Sequence, residues 1–283
     1  MKGMSVKDSI ATWLRFRFPR LYEFICWNLP LLRGTHSSLL MDPSAATPTW
    51  SARRINALNH KLSQVNRYLE VGVQRGTTFQ AVQVQYRVAV EPHPLFDLKE
   101  LPERVSVFVK NSDNYFKFIA GREQFDIIFL DGLHEWFQTY KDIMNSLNHL
   151  APGGVILIDD VIPCDEISAV PSLEESYRIR ELTGSAERRW HGDVYKALFA
   201  MHDYHSSSAR FRVILDPDGN SQALLWRHDP WCADHLELVA ESHEYSELTF
   251  SVAFPEGRPP SFFRAGSEDE VLQEVIDDLG SDS

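Results

Sequence analysis

The sequence predicts an α/β domain built on a doubly wound, mostly parallel sheet. Three observations predict it. Apolar runs of strand length alternate with helix-length amphipathic segments between residues 51 and 160, as in successive βαβ units. Two of those runs, 127–130 and 155–158, are joined by a segment (134–150) with helical periodicity, so their strands run parallel and close together. Two later runs, 211–215 and 223–226, flank the turn DPDGNS and make a β-hairpin that closes the sheet.

The elements follow in order. Residues 1–33 carry six basic side chains (Lys2, Lys7, Arg15, Arg17, Arg20, Arg33) against Asp8 and Glu23, interleaved with aromatics such as Trp13, Phe16 and Trp27. They admit two readings: short helices on a membrane surface, or an N-terminal helical extension packed on the domain or on a second subunit of a homo-oligomer. Residues 34–50 read as a linker. A helix is expected over 51–64, then a strand at 67–73, a helix from 77, strands at 86–91 and 105–110, and a short helix at 114–120. The segment 163–192 has few long apolar runs and many charges, and reads as an excursion over the strand ends, a lid or acceptor wall. A helix over 193–204 precedes the hairpin. The last helix, 268–279, opens on a capping box of Ser267 and Glu270 and turns Val271, Leu272, Val275 and Ile276 inward. The expected divisions are an N-terminal extension and linker (1–50), the main domain (51–235) and an acidic C-terminal extension (236–283).

Composition narrows the function classes. With 43% hydrophobic and 24% charged residues the chain has the balance of a soluble globular protein. A net charge of -12 argues against general nucleic-acid affinity, which needs clustered Lys and Arg. Cys26, Cys164 and Cys232 are far apart and form no CxxC, which suggests free thiols in a reducing compartment. No apolar run reaches the roughly 18 residues of a spanning helix, and no secretory signal is visible. The cytoplasm is the expected compartment.

In open parallel sheets, ligands bind beyond the carboxyl ends of the strands. The first strand runs there into LEVGVQRGTT, where Gly72 permits a tight bend and Gly76 a close approach, with Thr77 opening the next helix. Glu91 ends the second strand, where a carboxylate can accept hydrogen bonds from both ribose hydroxyls. A dinucleotide site favours GxGxxG. Here the spacing is ExGxxxG, with Glu70 in the cleft and Arg75 in the turn. An acid at Glu70 repels a pyrophosphate but can bind a ligand's amino group, which favours a nucleoside sulfonium amino acid over NAD. Nearby strand tips carry Asp131, Asp159 and Asp160. Three clustered acids without a cation repel one another, and hard cations take oxygen ligands, so the trio suits Mg²⁺ or another divalent ion. The alternative is that one or two of them cap helices or bind backbone amides. His134 stands at a helix start, which disfavours imidazolium and keeps the ring neutral, able to accept a proton as a general base. A surface or packing role is the alternative.

The stretch 67–161 resembles a class I S-adenosylmethionine (SAM)-dependent methyltransferase. The resemblance rests on LEVGVQRG (69–76), Glu91, NSD (111–113), FLDGLH (129–134) and LAPGGVILIDD (150–160), and covers about residues 50–228. It implies a Rossmann-like sheet of seven strands with an antiparallel C-terminal hairpin. It also implies SAM contacts from Glu70, Gly72, Gly76, Thr77, Glu91, Ser112, Asp113 and Asp131. The DGxH and terminal DD motifs are similar to those of metal-dependent O-methyltransferases acting on macrolide sugars and other glycans. They also resemble catechol O-methyltransferase, which has Asp-Asn at the second position; here Asp160 stands in place of that Asn, and His134 where that enzyme has lysine. The resemblance implies metal ligation by Asp131, Asp159 and Asp160 and catalysis by His134. Segment 190–196 resembles one found in the glycan-type relatives, which makes His191, Asp193 and Lys196 candidates to face the acceptor. For Asp193 and Lys196 the alternative is a helix cap and an exposed lysine.

The expected reaction is methyl transfer from SAM to a hydroxyl of a sugar, glycan or glycosylated natural product, with a divalent cation. A phenolic or polyketide acceptor, or a non-catalytic SAM-binding module, are the alternatives. An NAD-linked oxidoreductase would need a GxGxxG that is not visible.

Overall fold

The structure, a computed structural model, describes residues 37–38, 48–62, 65–99, 101–216, 221–227 and 237–280. The readings placed on 1–33 and the tip of the hairpin turn (217–220) lie outside the described residues.

The alternation in the sequence becomes helix α1 (Trp50–Lys61), strand β1 (Arg67–Val71), α2 (Thr77–Ala81), β2 (Tyr86–Val90), β3 (Val105–Phe108) and α3 (Ser112–Phe118). Then come β4 (Phe125–Leu130), α4 (Trp136–Asn148), β5 (Leu150–Ile158), α5 (Leu173–Thr183), α6 (Tyr195–His205), β6 (Ala209–Ile214), β7 (Gln222–Arg227) and α7 (Glu268–Gly280). The strands form one seven-stranded sheet in the order β3-β2-β1-β4-β5-β7-β6. Strands β1 to β5 pair in parallel, and the β6–β7 hairpin is antiparallel, with β7 against β5. This is the Rossmann-like methyltransferase sheet that the sequence led us to expect. Outside it, Ser37–Ser38 pairs in parallel with Phe96–Asp97, so the expected linker touches the domain.

Both faces of the sheet are covered, which is why its central strands read as unbroken apolar runs. Side chains alternate across the pleat. Leu69, Val71, Ile128, Leu130, Ile156 and Ile158 face one core, where they meet Tyr140, Ile143, Met144 and Leu147 of α4 and Leu198 of α6. Tyr68, Ile127, Phe129, Val155 and Leu157 face the other, against Ile55 and Leu58 of α1 and Val271, Leu272 and Val275 of α7. The capping box of α7 forms in both directions: Glu270 N donates to Ser267 Oγ at 3.4 Å and Ser267 N to Glu270 Oε2 at 3.0 Å.

One expectation needs correction. The excursion over 163–192 contains a three-turn helix, α5, because Ser172 Oγ accepts the Glu175 amide (3.3 Å) and Gly184 ends it with φ 67°. No helix among the described residues is long and apolar enough to cross a membrane.

Candidate active site

The strand order reverses between β1 and β4, and a cleft opens beyond their carboxyl ends, as the crevice rule for open sheets requires. It holds a cavity of about 860 Å³ lined by Glu70, Gly72, Thr77, Glu91, Ser112, Asp113, Asp131 and His134 among others. Every expected cofactor residue lines it except Gly76, which stands just before α2 with φ 72°. Gly72 is required by both conformation and space: its φ is +87°, and a Cβ there would lie 1.9 Å from the Asp131 carbonyl oxygen.

The acids on the cofactor side are already held. Glu91 accepts the backbone N–H of Gln74 on Oε2 and that of His93 on Oε1, both at 2.8 Å. Glu70, 2% exposed, accepts the Tyr68 hydroxyl at 2.6 Å. Burial pushes the Glu70 carboxyl well above its ordinary range; the Tyr68 bond pulls it back, and the charge of Asp131 adds to the rise. At the far end Asp113 pairs with Lys141 Nζ (2.7 Å). Gln138 Nε2 reaches Ser112 Oγ (3.2 Å), Asp113 Oδ1 (3.1 Å) and Asp142 Oδ1 (3.1 Å). Asp142 is buried, which raises its carboxyl to about 7 despite bonds from Ser112 and Gln138. Gln138 and Asp142 were not anticipated. They lie one turn apart on α4, and the sequence signal was an acid set directly beside the apolar stripe.

The side of the cleft at His134 is arranged differently. His134 Nε2 lies 3.4 Å from Asp131 Oδ1, and Nδ1 lies 3.1 Å from Asp160 Oδ2 without hydrogen-bond alignment. One ligand atom from each of Asp131, His134 and Asp160 falls within 4.8 Å of the others. Two carboxylates and an imidazole at that spacing fit a divalent cation. Asp159 stands outside this group: its Oδ1 accepts the Asp160 N–H at 2.9 Å. The Asp159 side chain bonds to its neighbour's amide, while Asp131 and Asp160 both face His134. Burial raises Asp131 and Asp160, partly offset by His134, and raises Asp159 to about 7 with help from the charge of Asp160.

The neutral imidazole expected from the helix start is also corrected for the ion-free protein. Burial lowers the His134 pKa, but Asp160, Asp131 and Asp159 outweigh it and carry the ring up to about 9. The helix start is itself met by a carboxylate, Asp193 Oδ1, which accepts the Trp136 N–H at 2.8 Å.

The 163–192 segment reaches this histidine. Trp190 stacks on His134 with centroids 4.7 Å apart, lines the cavity, and donates its indole N–H to the Val170 carbonyl at 2.7 Å. Gly192 (φ +65°) packs so tightly that a Cβ would sit 1.8 Å from the His134 carbonyl oxygen. Of the three acceptor candidates, His191 is buried with Nε2 3.8 Å from Asp160 Oδ1. Asp193 and Lys196 pair at 3.2 Å, both buried, and line no part of the cavity. Asp193 thus caps α4, and the lysine is buried, not exposed.

Residues 49–161 match the family model described as a methyltransferase domain. No curated protein matches the chain. Among solved structures, the chain is similar to an O-methyltransferase from Bacillus cereus in complex with SAH (15% identity, 77% of this chain and 96% of that one, TM-score 0.44). It is similar to the O-methyltransferase TomG from Streptomyces achromogenes in complex with SAM (13% identity, 79% and 99%, TM-score 0.39). It is also similar to the MycE methyltransferase from the mycinamycin biosynthetic pathway in complex with Mg and SAH (19% identity, 65% and 51%, TM-score 0.41). The fold assignment rests on the sheet order itself. That order and the match over residues 49–161 agree on a Rossmann-like methyltransferase fold.

Proposed function

We propose that this protein is a SAM-dependent O-methyltransferase that uses a divalent cation to prepare a hydroxyl of a sugar, glycan or glycosylated natural product. The observation that carries the reading is His134 set between the Asp131 and Asp160 carboxylates at the edge of a cavity lined by acids. Glu91 offers its remaining lone pairs to ribose hydroxyls, and Glu70 and Asp131 favour the cationic aminoacyl sulfonium over a pyrophosphate.

Methyl transfer is an in-line displacement. The acceptor oxygen forms a bond to the methyl carbon while the carbon–sulfur bond breaks, leaving S-adenosylhomocysteine, so both reactants must be held aligned. Asp131 and Asp160 would hold the cation, which supplies a lowered pKa to a hydroxyl bound to it and orients that hydroxyl. With those carboxylates neutralised, the cause of the raised His134 pKa is removed and the ring is free to take the hydroxyl proton. Trp190 fixes the plane of that ring and, with Leu173 and Tyr177 of α5, walls the cavity against water. Asp193 and Lys196 serve the scaffold in this reading, and His191 supports Asp160. From the sequence alone we also propose a homo-oligomer in the cytoplasm.

The test is transfer of radiolabelled methyl from SAM to a panel of sugar, phenol and polyketide hydroxyls, with Mg²⁺ or EDTA. Labelling of sugar hydroxyls that EDTA abolishes is expected. Labelling that persists in EDTA overturns the cation, and labelling of phenols alone overturns the acceptor class.

A further inference from the structure

We infer that Arg180 is a positioning residue for His134: it fixes the backbone on both sides of Trp190 and so seats that indole on the imidazole. The inference rests on the reading of His134 as the proton acceptor, and adds to it a residue that lines no part of the cavity.

Arg180 lies near the end of α5 and is 1% exposed. Burying a guanidinium is costly unless its donors find acceptors. All four Nη hydrogens do so here, and Nε alone is left without one. Nη1 donates to Asp165 Oδ2 and to Ser185 Oγ, both at 3.1 Å. Nη2 donates to Asp165 Oδ1 at 2.9 Å and to the Arg189 carbonyl at 3.1 Å. The pairing with Asp165 is the two-pronged contact that a planar guanidinium makes and an ammonium does not.

These bonds close a circuit around Trp190. The carbonyl just before the indole, that of Arg189, is held by Arg180 directly. The two amides just after it, of His191 and Gly192, both donate to the Ser168 carbonyl at 3.0 Å. Ser168, 0% exposed, is fixed in turn by Asp165, whose Oδ1 accepts its N–H at 2.6 Å and Arg180 as well. The guanidinium is therefore bonded to both brackets of Trp190, once directly and once through Asp165. Between the brackets, the indole N–H meets the Val170 carbonyl and the ring plane lies 17° from that of His134. Residues 185–190 have no regular structure, and one stacked pair is a weak constraint on such a chain. The bracketed backbone supplies the orientation.

The experiment is NMR of the histidine rings in the full chain with EDTA present, with SAM affinity and Tm measured alongside. The His134 signals are identified by their loss in His134→Ala, and stacking on an indole face displaces them upfield in the wild type. Trp190→Leu should abolish that displacement. Arg180→Met should abolish most of it and leave SAM affinity unchanged, since Asp165 is 37% exposed and can turn to water. With whichever hydroxyl the labelling panel identifies, kcat of Arg180→Met should fall about tenfold, as expected for a slightly misplaced reacting group, with KM for SAM unchanged. His134 signals without an upfield displacement in the wild type, or unmoved in a folded Arg180→Met, overturn the inference. Loss of SAM affinity in step with the signal shift overturns it too, since general disruption would then suffice, and so does a shift with kcat intact. Undiminished turnover in His134→Ala rejects the proton-acceptor reading itself, a result separate from the ring signals. Should Arg180→Met fail to fold, Arg180→Lys decides in its place, since it keeps the charge but loses the fork.

Discussion

Glu91 and Asp160 each follow a strand on the same edge of one sheet, yet their surroundings are opposite. Both oxygens of Glu91 already accept backbone N–H groups, supplied by Gln74 and His93. The Asp160 carboxylate is met by imidazoles, with His134 at 3.1 Å and His191 at 3.8 Å. A carboxylate satisfied by fixed amides is a ready-made acceptor whose place does not depend on what enters the cleft. A carboxylate whose partner is a titratable ring is a site where a proton and a metal ion compete. In the proposed reading, the cofactor half of the cleft is preorganised and the half that would hold the cation is exchangeable.

The sharpest way to break this contrast is His134→Ala. Turnover should fall by about 10²–10⁴-fold, the range for removal of a general base, while SAM affinity measured calorimetrically stays within about twofold. Equal losses in both would reduce His134 to a structural role. Glu91→Ala probes the preorganised half and should weaken SAM binding about tenfold by losing ribose acceptors and releasing two amides, with Mn²⁺ binding, read by electron paramagnetic resonance, unaltered. A changed Mn²⁺ signal would show that the two halves are not separate.

The smallest effect concerns Asp142, whose burial outweighs the nearby charge of Lys141. Its folded pKa of about 7 lies above the ordinary carboxylate value, so the folded state binds its proton more tightly than the unfolded chain does. Stability from this group is full in acid and is lost as pH rises toward 7. Asp142→Asn should therefore raise Tm by roughly 4 °C at pH 8 and leave it unchanged near pH 3. A Tm increase of the same size at both pH values would mean that the charge is irrelevant.

Much of the sheet was legible because buried parallel strands leave apolar runs that few other structures produce. The helix α5 was not read, although Ser172, Glu175 and Gly184 are its start and stop signals; its weak apolar stripe hid it. The site was legible as a set of strand-tip acids and a histidine. The approach of the 190–192 segment to His134 was not, since only the fold brings Gly192 against that residue's carbonyl. The pull of the carboxylates on His134 was not legible for a similar reason. Spacing along the chain revealed the helix start, whereas the charges that override it come from β4 and β5 together.

The packing of Gly192 on the His134 carbonyl has a mechanical consequence. With no room for even a methyl group between them, and with Asp193 N donating to that same carbonyl at 3.3 Å, the segment is riveted to the catalytic loop at this end. Trp190, stacked on His134 and bonded to the Val170 carbonyl, lies at this same fixed end. The wall of the cavity at Trp190 is therefore held in register by the histidine's own backbone.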